Sequence, residues 1–288
     1  MKKKIFVIAL TFALVIILPA ITLLAARESD NLSPGWHGKG DGRYYVLDDG
    51  SRAEGYLQIS GKPYYFNENG APADKGWIGR DSEETYYCEG GGELATGWKY
   101  LEKKVWYFYQ ASDPGQNPVG LLARSYTTPG QITLDEDGCV DGDEALALAY
   151  GMDVLNRTEW TLEAAYKYSA SLRFEEGADE HYGFTTCSCA LYGFEHGAGN
   201  CLAWSGTFCV MARLLGYDCR QIWGTLSWKG IRPHAWTEIW TDGQCRVYDP
   251  RKHDGEDMAG FDVQYGDKGT YKYDLDSKEY LEFAGERE

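Results

Sequence analysis

Three residues in the C-terminal half of this 288-residue chain have the types that covalent acyl transfer needs: Cys201, His234 and Asp249. In such a site a thiolate attacks a carbonyl carbon. An imidazole moves the proton, and a carboxylate fixes the tautomer and aim of the imidazole. Cys201 follows the turn Gly197-Ala198-Gly199-Asn200 and opens an apolar pattern through Phe208, Met211, Ala212 and Leu215. That spacing predicts a helix ending near Gly216. A cysteine at its start meets the positive end of the helix dipole, which favours a thiolate. Taken alone, a cysteine before a helix is more often a buried structural thiol, so the argument depends on its partners.

The elements around the partners are legible. Cys219 to Trp223 reads as a strand. Alternation from Pro233 to Trp240 puts His234, Trp236, Glu238 and Trp240 on one face, with Ala235, Thr237 and Ile239 on the other. After the turn Thr241-Asp242-Gly243, a second short strand ends in Val247-Tyr248-Asp249-Pro250. A hairpin closed by that turn makes His234 and Asp249 neighbours. Upstream, Asp141 and Glu144 ahead of the run Ala145–Tyr150 resemble a capping box. Leu162, Ala165, Tyr168 and Leu172 share one helical face.

Read in order, Gly199-Asn200-Cys201-Leu202-Ala203, Leu215-Gly216-Tyr217, His234-Ala235-Trp236 and Asp249-Pro250 resemble the transglutaminase core superfamily in its bacterial form. Tyr192-Gly193 also fits, and Thr237 stands where Asn is common. The resemblance covers about residues 135 to 255, and the catalytic domain is drawn as 135–288. It implies an α+β papain-like fold with the cysteine on a helix and the histidine and aspartate on strands. It implies a cysteine protease or acyltransferase working through a thioester. The backbone N–H of Cys201 is one candidate oxyanion donor. Tyr192 and Trp204 are others, with packing as their alternative role. No feature dedicated to an amine acceptor stands out, so hydrolysis of a peptide or isopeptide bond is preferred over cross-linking. No cofactor is called for. Cys187-x-Cys189, near His181 and His196, lacks the paired spacing of a zinc site, so no metal is assigned.

The N-terminal half is repetitive. Gly35-Trp36, Gly55-Tyr56, Gly76-Trp77 and Gly97-Trp98 recur at spacings of 20, 21 and 21 residues. Each is followed by an aromatic cluster: Tyr44-Tyr45-Val46, Tyr64-Tyr65-Phe66, Tyr86-Tyr87-Cys88 and Trp106-Tyr107-Phe108. Strand-forming aromatics bounded by Gly, Asn and Asp predict one hairpin per repeat, stacked into an all-β solenoid. Over residues 35–110 the pattern resembles the cell-wall-binding repeats of Gram-positive surface proteins, the group that includes choline-binding modules. The resemblance makes Trp36, Trp77, Trp98, Tyr64, Tyr86 and Trp106 the candidate ligand-binding residues. The tryptophan usual before the paired tyrosines is replaced by Arg43, Pro63, Thr85 and Val105, which speaks against choline itself. A wall glycan or teichoic acid is the ligand expected, with a ligand-free spacer as the alternative. Residues 111–134, punctuated by Asp113-Pro114-Gly115, Pro118 and Pro129-Gly130, read as a linker or an irregular connection.

Met1-Lys2-Lys3-Lys4 precedes the apolar run Ile5–Ala25, so residues 1–28 read as a membrane anchor or a signal peptide. The lysines then stay cytoplasmic and the rest lies outside, at the cell surface or wall. A net charge of −16 excludes nucleic acid as a partner. All eight cysteines fall in a compartment that permits disulfides, with no pairing readable. The function expected is a surface cysteine enzyme acting on amide bonds of wall peptides or surface proteins. The alternative is a non-catalytic wall-binding or adhesion protein with a degenerate core.

Overall fold

Glycine at the turns and aromatic residues between them build antiparallel hairpins, in a computed structural model that describes residues 32–181, 183–227, 231–250, 258–267 and 272–285. The segment 1–28, read as anchor or signal, lies outside the described residues. Among the described residues no helix is long and apolar enough to cross a membrane. The chain divides into compact units at 1–53 and 54–288. In the first, β1 (Gly35–His37) pairs with β2 (Tyr44–Val46).

The second unit opens with the strands β3 (Gly55–Ile59), β4 (Lys62–Phe66), β5 (Gly76–Ile78), β6 (Tyr86–Gly90) and β7 (Glu93–Leu94). They form one sheet in the order β3-β4-β7-β6-β5. A further hairpin, β8 (Gly97–Leu101) and β9 (Lys104–Phe108), is joined by β10 (Cys139–Val140). The sequence period is a structural period. Trp36 lies opposite Tyr45, Tyr56 opposite Tyr65, Trp77 opposite Tyr87 and Trp98 opposite Tyr107.

Residues 111–134 connect the last repeat to the helices as packed, irregular chain. Their backbone continues the ladder, with Leu122 N–H donating to Thr85 O and Ala123 N–H to Tyr107 O, each at 2.9 Å. Ala123, Ile132 and Leu134 join the core that holds Val105, Leu148, Phe208 and Ile239. The Pro129-Gly130 turn serves close packing, because a Cβ on Gly130 would sit 2.0 Å from the Arg213 carbonyl. Apolar burial, the main driving force of packing, therefore continues without a break from the last repeat into the helices.

Those helices are α1 (Gly142–Arg157), α2 (Leu162–Ser171), α3 (Thr186–His196) and α4 (Cys201–Leu214). Asp141 is the N-cap of α1 but makes no side-chain cap bond, so the expected capping box is not formed there. The chain turns at that point through Gly142, at φ +62°. A capping box forms instead at α3, between Thr185 and Ser188. Two short parallel strands, β11 (Arg173–Phe174) and β12 (Ala198–Gly199), bring the α2–α3 connection beside the start of α4. The last sheet contains β13 (Cys219–Ser227), β14 (Ile231–Thr241), β15 (Gln244–Tyr248) and β16 (Lys272–Tyr280), in the antiparallel order β15-β14-β13-β16. On β14, Ala235 packs with Leu202 of α4, while Trp236 packs with Ile222, Val247 and Tyr273. Helices beside an antiparallel sheet make this part α+β.

Candidate active site

Cys201 is placed by a turn that admits little other than glycine. Gly199 has φ +153°, and a Cβ there would lie 2.4 Å from the Ala203 Cβ. Asn200 then caps α4, its side chain accepting from the Leu202 N–H at 3.1 Å. Cys201 is the first helical residue and is half-buried.

His234 arrives from β14 and Asp249 from the residue after β15. The turn places Thr237 opposite Tyr248, so Asp249 lies one residue beyond the ladder, on the side of His234. The His234 Nε2–H donates to Asp249 Oδ2 at 2.7 Å, and both side chains are buried, at 3% and 2% exposure. The Cys201 side chain acts on His234 from the start of α4, as a hydrogen-bonding and charged neighbour. With Nε2 engaged by Asp249, Nδ1 is the ring nitrogen left to meet a sulfur. Burial by itself would discharge the imidazolium. The Asp249 carboxylate and then the Cys201 sulfur outweigh it and carry the His234 pKa up to about 10. His234 is thus an imidazolium at neutral pH. It can give a proton to a leaving group and, once neutral, take one from an incoming nucleophile.

Asp249 is held through its backbone as well as its side chain. Its N–H donates to Gly260 O at 2.9 Å, and its carbonyl accepts from Tyr166 Oη at 2.8 Å. Its Oδ2 also accepts from Tyr273 Oη at 3.0 Å. Trp236 stacks near His234, with centroids 6.3 Å apart, and against Tyr273 at 4.8 Å. Further along β14, Glu238 is wholly buried. It accepts from Lys278 at 3.0 Å, Tyr280 at 2.9 Å, Trp240 at 3.2 Å and also from Tyr265. Burial works against its charge, but those donors keep its pKa below the usual glutamate range. Tyr166, Gly260 and Tyr273 were not singled out from the sequence. They come from segments with no pattern tying them to the motif.

The two further oxyanion candidates differ. Tyr192 lies between His181 and His196, at 6.3 and 4.3 Å, and its pKa is raised by burial and then by the neighbouring Glu175 carboxylate. The Trp204 indole N–H, one turn after Cys201, is buried and has no partner among the described residues. Nothing brings the side chains of Cys187, Cys189, His181 and His196 into a metal cluster among the described residues. All eight cysteines are free thiols.

The candidate ligand residues of the repeats are divided by burial. Tyr86 is core, packed between Tyr56 and Tyr65 at 5.6 and 6.1 Å. Trp106 is core as well, its indole N–H given to Leu101 O at 3.1 Å. Trp98 donates to Leu214 O of α4 at 3.2 Å, so its indole faces the helical part. Tyr64 remains half-exposed beside Phe66. Trp77 packs on Trp106 and Tyr87 at 4.8 and 5.3 Å, and the Arg80 guanidinium lies 4.8 Å from its centroid. Glu102 holds Arg80 through two bonds, at 3.2 and 2.6 Å, and also accepts from the Trp77 indole at 3.3 Å. Arg43 covers Trp36 in the same manner, at 3.7 Å. The cation seats over two of these tryptophans are filled by the chain's own arginines.

No curated protein matches the chain. Among solved structures, similarity is found to choline binding protein F from Streptococcus pneumoniae in the presence of a peptidoglycan analogue. That match is 26% identical, covers 38% of this chain and 34% of that one, and has a TM-score of 0.30. The multimodular pneumococcal cell wall endolysin from phage Cp-1, complexed with choline, is 24% identical over 32% of this chain and 25% of its own, with a TM-score of 0.25. The choline binding domain of Spr1274 in Streptococcus pneumoniae is 34% identical over 23% of this chain and 98% of its own, with a TM-score of 0.20. The chain spans about a third of the length of choline binding protein F. Residues 153–250 match the model of the transglutaminase-like superfamily. That span holds Cys201, His234 and Asp249, and the chain thus carries a transglutaminase-like domain.

Proposed function

We propose that this protein is a cell-surface cysteine enzyme that cleaves amide bonds of wall peptides or surface proteins through a thioester on Cys201. The observation that carries this reading is His234, bonded to the Asp249 carboxylate and raised in pKa by that carboxylate and then by the Cys201 sulfur. In the first half-reaction the sulfur attacks the carbonyl carbon. The C–N bond breaks as the His234 imidazolium gives its proton to the departing amine. In the second, the neutral imidazole takes a proton from water, and hydroxide attacks the thioester. The carboxylic acid leaves and the sulfur recovers its starting state. The Cys201 backbone N–H, at the helix start, is the first candidate to receive the oxyanion.

Hydrolysis is preferred over transfer because water, at roughly 55 M, competes with any amine unless the site excludes it and orients the acceptor. The repeats are read as the targeting part, holding the enzyme to wall glycan or teichoic acid. The test incubates the full chain with digested Gram-positive wall and quenches with acid. An acyl adduct should appear on the peptide containing Cys201, and no adduct should form with His234→Ala. A labelled primary amine in the same reaction should be incorporated less than water at millimolar amine. Failure to find any adduct, with wall peptides left intact, would remove the enzymatic reading and leave the non-catalytic one.

A further inference from the structure

We infer that Tyr273 is a positioning residue of this site, a fourth member that sets how strongly Asp249 acts on His234. The inference rests on reading Cys201, His234 and Asp249 as catalytic. Tyr273 lies on β16, beyond the matched span, and on a different strand from His234 and Asp249. Its hydroxyl donates to Asp249 Oδ2 at 3.0 Å, the same oxygen that accepts from His234 at 2.7 Å. Two donors therefore share one carboxylate oxygen. A hydrogen bond to the charged form of a carboxylate stabilises that charge and weakens its hold on a neighbouring cation. Among the described residues, the groups that face His234 and Asp249 include Cys201 from α4, Tyr273 from β16 and Tyr166 from α2, the last on the Asp249 carbonyl.

The placement is rigid. Tyr273 pairs with Leu226 of β13, and its ring packs on Trp236 at 4.8 Å. The register of β13 against β16 breaks between Trp223 and Thr225, at Gly224. A Cβ on Gly224 would lie 2.9 Å from the Trp236 ring, so the glycine makes room for the ring that packs against Tyr273. Farther along β16, Lys278 and Tyr280 fasten the strand to the buried Glu238. A donor held from both ends of its strand is preorganised rather than incidental.

The test uses the full chain with Tyr273→Phe, which keeps the ring and removes the donor. Tyr280→Phe serves as the control, because it removes a hydroxyl from the same strand away from Asp249. Without the second donor the carboxylate acts undivided on His234, the imidazolium is better held, and the ring titrates at higher pH. The expected result is a rise of about half a pH unit in the His234 ring titration by NMR and in the alkaline limb of kcat/KM. At neutral pH kcat/KM should fall by up to about threefold, since the imidazolium releases its proton less readily. The control should leave the titration in place. An unchanged His234 titration in Tyr273→Phe, or an equal shift in the control, would overturn the assignment. Iodoacetamide labelling of Cys201 tests the underlying reading separately. If labelling is indifferent to His234→Ala, the catalytic site itself is wrong, and the role of Tyr273 falls with it.

Discussion

The exchange between His234 and its two neighbours has a thermodynamic consequence that needs no substrate. An exposed histidine in an unfolded chain titrates near 6.5, whereas in the fold Asp249 and Cys201, working against burial, lift His234 to about 10. Between those values the folded protein holds a proton that the unfolded chain has released. The stabilisation from this site is therefore fully present below about pH 6.5 and is lost as pH rises through about 10. Thermal melts of the full chain at steps from pH 6 to 10 should show Tm falling with pH, and His234→Ala should flatten that slope. Equal slopes in the two proteins would mean that His234 gains no proton on folding. Three further thiols are held protonated by burial, which pushes Cys139 up to about 11, and Cys189 and Cys245 up to about 12. They are poor competitors for an electrophile that reaches the half-buried Cys201.

At the scale of elements, the site depends on how closely segments approach Asp249. Gly260 brings no side chain, and a Cβ there would lie 2.3 Å from the Asp249 carbonyl and 2.9 Å from the Tyr166 hydroxyl. Gly260→Ala should thus push Asp249 away from His234. The expected cost is about 1–3 kcal/mol in urea unfolding, as for other overpacked sites, with kcat/KM down at least tenfold, since a displaced orienting group loses its aim. Wild-type kcat/KM in this variant would show that the loop yields without moving the carboxylate. The contrast with what the sequence displays is instructive. The Gly-rich turn, the helix from Cys201 and the hairpin joining His234 to Asp249 were legible, because each has its own periodicity or turn chemistry. Tyr166, Gly260 and Tyr273 were not, because they reach Asp249 through tertiary packing from segments 83, 11 and 24 residues away. The aromatic period was legible in the same way, and the four hairpins keep its register. Which rings face inward was not, since the pattern of Tyr86 and Trp106 is the same whether they bind a ligand or seal a neighbouring hairpin.

Across residues 54–288 the last repeat and the helices share one core, through Trp98 on Leu214, Arg213 on Gln131 at 3.0 Å, and Ile132 and Leu134 beneath them. A fragment cut at residue 112 would expose that core, so targeting has to be tested on the whole chain. The Cys201→Ala protein, mixed with purified Gram-positive walls, should be retained, and choline should elute it poorly. The reason lies at Trp77. A quaternary ammonium needs the open face of the ring, and Arg80 already lies over that ring, pinned by Glu102 at 2.6 Å. The pair is exposed and contributes little to stability, so Arg80→Ala should fold normally and make retention more sensitive to choline. Full elution of the Cys201→Ala protein by choline would show that the arginine yields its place to the ligand. No retention at all would end the targeting role of the repeats, while leaving the chemistry of Cys201, His234 and Asp249 to stand on its own tests.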